Sequence, residues 1–360
     1  MSSSIAIYAG KTAFHQIKEN GITQEQIQMM AAASGGPKWF TLFGLDKYLF
    51  GDFFKNRQQP LYTIGSSAGA WRMACLAQKD PVAAISRLAQ YYSNESYSEK
   101  PTVDEISDKA RILVDKLLGD SGAKEIVENS IIQTHLIVAR ARGLASSEVR
   151  FLQLSGLVIA AGLNAISDKT LSWFFERFNF FSQNDAAGFH KSHFDYDKAK
   201  TRYLKLTENN MKEVLLASGA IPLVLRGIKE IEMAPPGIYR DGGIIDYHFD
   251  VQFPNKGLLL YPHFHPLIKK GWFDKGLKYR HAKISNFDNV ILVTPSESHI
   301  SSLPYGKISD RNDFAKFDTK TRIDYWQTVL SESERLAEDF SDLVQTGKGL
   351  NKIQPIDSIL

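Results

Sequence analysis

LYTIGSSAGAWRMACLAQ, Leu61 to Gln78, holds Ser67 between Gly65 and Gly69 in the spacing G-x-S-x-G. Four β-prone residues, Leu61 to Ile64, come before the first glycine, and a run of small, helix-compatible residues follows the serine. The order reads as strand, sharp turn, helix. Such a turn lifts a serine hydroxyl clear of a sheet, beside the positive end of a helix. Small neighbours let strand and helix approach closely. The same letters also suit a plain βα turn with a serine cap. A serine hydroxyl is a poor nucleophile without a base, so the reading turns on what else the chain supplies.

The chain has 360 residues, enough for one large domain or two ordinary ones. Its 43% hydrophobic and 23% charged residues are ordinary for a soluble globular protein. A formal charge of +3 gives no argument for nucleic acid and would not repel anionic lipid. The single cysteine, Cys75, excludes an internal disulfide and reads as a small core residue. MSSSIAIYAG lacks the basic start and apolar run of a secretory signal, which makes a cytoplasmic protein the expectation. The apolar run Leu154 to Ile166 is shorter than the roughly 20 residues a membrane span needs, so it reads as buried or interfacial.

Short β-rich runs alternate with helical patterns, which predicts an α/β fold with a mainly parallel central sheet. Ile5 to Ala9, Ile27 to Ala33, THLIVARA and Asn289 to Pro295 read as strands. Leu42, Leu45 and Leu49 fall at helical spacing behind Pro37, a residue tolerated at a helix start. TENNMKEVLLASGAIP reads as a helix capped at its start by Thr207 or Asn209 and stopped by Gly219 and Pro222. TRIDYWQTVLSESERLAEDFSDLVQTGKG reads as one long amphipathic helix stopped by Gly347. Residues 145–200 fit the alternation poorly. Phe174, Phe175, Phe178, Phe180, Phe181, Phe189 and Phe194 crowd into that stretch, which reads as a helical, aromatic-rich insertion, either a lid that contacts lipid or a packed cap.

Two partners for Ser67 are open. His248, His263, His265, His281 and His299 all lie downstream, as the order Ser, acid, His of a catalytic triad requires. Alternatively, Asp241 precedes Gly242 and Gly243 in YRDGGIIDYH, a stretch that also suits a plain hairpin turn. LLASGAIPLVL lies just upstream of it.

Taken in order, SGGPK, GSSAG, ASGAIP and DGG resemble the patatin-like phospholipases over roughly residues 27–250. The resemblance implies a three-layer sandwich, a Ser–Asp dyad without histidine, and hydrolysis of phospholipid or other acyl esters. It implies Ser67 as nucleophile, Asp241 as base, and Gly35, Gly36 and Lys38 at the oxyanion hole. Gly65, Gly69, Gly242 and Gly243 would shape the two turns. It divides the chain into an N-terminal strand and helix extension at 1–26, a catalytic domain at 27–250 with an insertion at 145–200, and a C-terminal completion at 251–360. No cofactor is implied; peripheral membrane contact is a separate expectation, drawn from the phenylalanine-rich segment.

The chain departs from the family's G-G-G-x-[RK]-G run. Pro37 has no N–H to give, Trp39 stands at a glycine position, and Asp246 replaces a frequent Asn. These departures motivate a second expectation, a fold that binds lipid or a partner without hydrolysis. Ser34 reads as a helix cap. His263 and His265, with His248 or Asp246, have a spacing seen among metal ligands, but an aromatic-rich loop explains them equally. No acidic loop has calcium-ligand spacing.

Overall fold

The computed structural model of the chain describes residues 3–182, 201–252 and 257–360. Ten strands form one sheet among the described residues: β1 (Ile5–Ala9), β2 (Ile27–Ala32), β3 (Leu61–Ser66), β4 (Ile132–Ala141), β5 (Phe175–Phe181), β6 (Thr201–Lys205), β7 (Ile238–Asp241), β8 (Leu258–Pro262), β9 (Val290–Pro295) and β10 (Gln354–Pro355). Their order is β10-β1-β9-β8-β2-β3-β4-β5-β6, with β7 also paired to β4. The five strands β9-β8-β2-β3-β4 run parallel. They read as near-continuous apolar runs, as strands covered on both faces must. The fold is α/β with a mainly parallel sheet, as the alternation predicts. Its ends meet: β1 pairs with both β9 and β10, so residues 5–9 and 290–295 belong to the sheet that carries β3.

Eight α-helices precede β5 among the described residues: α1 (Lys11–Asn20), α2 (Phe43–Tyr48), α3 (Ala68–Leu76), α4 (Pro81–Ser93), α5 (Val103–Leu118), α6 (Gly122–Glu128), α7 (Arg150–Ile166) and α8 (Leu171–Phe174). Successive strand residues point to opposite faces, and β4 shows the consequence. Val138 lies in the large core, whereas Ala139 and Ala141 belong to a smaller cluster with Leu157 and Ala160 of α7.

Three local readings are corrected. The expected long C-terminal helix is two, Thr319–Glu332 and Glu334–Thr346, broken at Ser333. The Ser333 hydroxyl is buried and accepts from the Gly44 amide at 2.8 Å, a tertiary bond that no helical periodicity reveals. Within the expected insertion, Phe175–Phe181 is a strand of the central sheet, antiparallel to β4, with Phe175, Phe178 and Phe180 fully buried. Its intervening charges are paired: Arg177 grips Asp246 through two bonds of 2.7 Å. Phe189 and Phe194 lie outside the described residues. Ser34 caps no helix; its hydroxyl donates to Ser66 Oγ at 3.0 Å. Among the described residues, no helix is long and apolar enough to cross a membrane.

Candidate active site

β3 ends at Ser66 and α3 begins at Ala68, which leaves Ser67 as the whole connection. Its φ of 55° and ψ of −128° lie in a region that favours glycine and costs other residues on the order of 1–3 kcal/mol. Small neighbours make the turn possible. A Cβ on Gly69 would stand 1.9 Å from the Ala32 carbonyl oxygen, so any larger residue would push α3 off β2. Gly65 sits at the same crossing, with its backbone against Gly69.

The extra length of β4 brings in the second residue. Ile137 of β4 pairs with Ser66, and the next residue, Val138, pairs with Asp241 of β7. β7 therefore takes up β4 where β3 stops. The Ser67 hydroxyl donates to Asp241 Oδ2 at 2.8 Å. Asp241 Oδ1 accepts from the Gly243 amide at 2.7 Å, which fixes the carboxylate plane. Gly242 lies so close to β4 that a Cβ there would meet the Ile137 carbonyl oxygen at 2.3 Å. Burial raises the Asp241 carboxyl above the usual carboxylate range, against the lowering effect of the Gly243 and Ser67 bonds and of Arg311 and Lys275.

Ser67 and Asp241 open onto a cavity of about 290 Å³. Gly35, Gly36 and Gly243 line it, and its walls are largely apolar, with Trp71, Ile106, Leu113, Ile221, Leu225 and Ile244 among them. Gly36 has a positive φ of 55° at the start of a 3₁₀ helix, Gly36–Leu42. Lys38 lies apart from this cavity. Its Nζ is 3.5 Å from Asp310 Oδ2, and it lines a neighbouring pocket with His248 and His265. Trp39, the next residue, is buried against Phe40 and Phe43.

None of His248, His263, His265, His281 and His299 bonds to Ser67 or Asp241 among the described residues. His248 and His263 pack edge to face, with centroids 4.2 Å apart and ring planes at 81°. Burial pulls both below the usual imidazole range, His263 to about 3. His248 Nδ1 accepts from the Lys269 amide at 2.9 Å, and His265 Nδ1 from the Leu267 amide at 3.0 Å. Asp246 is committed to Arg177. Among the described residues, no three His, Cys, Asp or Glu side chains gather as a metal site.

Three residues at this site carry no role in the sequence reading. Ser218 holds the elbow: the Ser67 amide donates to its hydroxyl. The ASGAIP stretch was the available signal. Lys275 and Arg311 also line the cavity, and their local sequence gives no hint of it. Burial, with Lys38 and Arg311 nearby, pulls the Lys275 amine down to about 7.

No protein-family model matches the sequence, and no curated protein does. Among solved structures, VipD from Legionella pneumophila aligns at 12% identity with a TM-score of 0.37, over 98% of this chain and 75% of that one. So distant a likeness carries no argument about this chain.

Proposed function

We propose that the chain is a patatin-like serine acyl hydrolase, cleaving carboxylic esters of lipids through a Ser67–Asp241 dyad. One observation carries the reading: the 2.8 Å bond from the Ser67 hydroxyl to the Asp241 carboxylate, made at a strained strand-to-helix turn. The apolar cavity beside it suits an acyl chain.

In this reading Asp241 takes the hydroxyl proton as Ser67 Oγ attacks the ester carbonyl. The tetrahedral intermediate collapses, the C–O bond to the alcohol breaks, and Asp241 returns the proton to the leaving alkoxide. Water then attacks the acyl-enzyme. Its proton passes to Asp241 and on to Ser67 Oγ as the carboxylic acid departs. Raising the carboxyl's pKa makes it a stronger base than an exposed aspartate. The amides of Gly35 and Gly36 are the oxyanion donors in this scheme, since both residues line the cavity. Pro37 gives no N–H, but its carbonyl accepts from Ser309 Oγ at 2.6 Å, which pins the turn from behind.

The test is hydrolysis of a series of p-nitrophenyl acyl esters by wild type and Ser67→Ala. The reading expects turnover by wild type only, with longer acyl chains favoured. Equal turnover in the two proteins would exclude Ser67 as the nucleophile, and none in either would favour a binding protein with this fold.

A further inference from the structure

α7 presents an outward face without charge. Phe151, Leu154, Val158, Ile159 and Ile166 are 75%, 46%, 62%, 46% and 83% exposed, and Trp173 just beyond is 65% exposed. The helix contains no acidic residue. A surface helix ordinarily turns charged residues outward, and Glu334–Thr346 does so here with Glu338 and Asp342. A contiguous apolar patch of this kind marks an interaction surface.

The inward face of α7 is tied to both walls of the catalytic cavity. Gln153 Oε1 accepts from the Leu223 amide at 2.9 Å, within the stretch whose Ile221, Pro222, Val224 and Leu225 line the cavity. Eleven residues on, Asn164 Nδ2 donates to Asp274 Oδ1 at 2.8 Å, between the cavity-lining Trp272 and Lys275. Leu157 and Ala160 pack in one cluster with Ile244, another wall residue.

The charges at the helix ends identify the occupant. Arg150 and Lys169 are exposed and make no ion pair among the described residues. The nearby acids are taken: Asp168 by Lys270 and Arg280, Glu148 by Arg240. Among the described residues, the uncompensated charge at both ends is therefore positive. We propose that α7 docks on an anionic lipid bilayer, its apolar face in the acyl boundary and Arg150 and Lys169 among the headgroups. That the bilayer supplies the acyl substrate rests on the hydrolase reading; the docking itself does not.

The full chain carrying Ser67→Ala, which consumes no lipid, is sedimented with vesicles of phosphatidylcholine alone and of an equimolar mixture with phosphatidylglycerol. Preferential binding to the mixture is expected. Phe151→Asp with Val158→Asp should weaken it by on the order of 100-fold. Arg150→Gln with Lys169→Gln should remove the anionic preference, about thirtyfold, and leave weak binding to phosphatidylcholine. Circular dichroism checks that the variants fold. Vesicles left unbound by the parent, or bound equally by the aspartate variant, overturn the proposal. So does a concentration-dependent dimer that the aspartate variant dissolves, which would assign the face to a second copy. A chain with Ser67 intact that binds vesicles but cleaves no soluble ester would sink the hydrolase reading and leave the docking standing.

Discussion

The amide of Ser67 donates to the hydroxyl of Ser218 at 2.9 Å, and that hydroxyl donates onward to the Ile137 carbonyl at 2.8 Å. One side chain thus ties the strained turn to β4, the strand that also aligns Asp241. Ser218→Ala leaves a buried amide without its acceptor, at a cost of about 1–3 kcal/mol. Denaturant unfolding should show that loss, with turnover reduced more than substrate affinity. An unchanged midpoint would mean that the turn does not depend on this bond.

Strain at Ser67 has its own signature. Ser67→Ala and Ser67→Gly both delete the hydroxyl, but only glycine relaxes at a φ of 55°. The glycine variant should be the more stable by about 1 kcal/mol, after its larger entropy loss on folding is counted. Thermal unfolding of the pair measures the difference directly, and an alanine variant equal or superior to glycine would exclude stored strain.

Asp241 couples activity to stability with opposite signs. Its carboxyl is raised by burial, so the ionised form penalises the fold. The contribution of such a group is most favourable below the unfolded value and is lost as pH rises through the folded one. Asp241→Asn should therefore be more stable than wild type at neutral pH, with the gap closing in acid. Its ester hydrolysis should fall by about 100- to 10,000-fold. Wild-type turnover should decline as pH drops through the raised value. Retained activity in the asparagine variant would point to another base.

Lys275 places a second titration at the cavity. With its amine pulled to about 7, it loses its charge as pH rises through neutrality. For an anionic acyl ester, KM should climb across that interval in wild type and stay flat in Lys275→Met. A neutral ester should show no such step in either protein. A step that survives in the methionine variant would assign it elsewhere.

Much of this arrangement is legible in short motifs because turns are local. Gly65 and Gly69 answer a packing distance between adjacent elements, and Gly242 answers one against β4. The parallel strands are legible for a similar reason: burial on both faces leaves apolar runs. The strand Phe175–Phe181 was hidden because its charges look like surface. Glu176 is 4% exposed yet sits among Arg140, Arg142 and Arg202, and those partners are distant in the chain. The Lys38 side chain faces a neighbouring pocket beside Asp310, a partner far along the chain. The break at Ser333 depends on Gly44, far upstream. In each case the missing information was a tertiary partner.

The most direct measurement is the mass of the intact protein after exposure to a fluorophosphonate, for wild type, Asp241→Asn and Asp241→Ala. A single adduct mapping to Ser67 in wild type, with labelling slowed at least about 100-fold in both folded variants, is the expected result. No adduct on Ser67, or labelling that proceeds at the wild-type rate without the carboxylate, would contradict a dyad in which Asp241 activates Ser67.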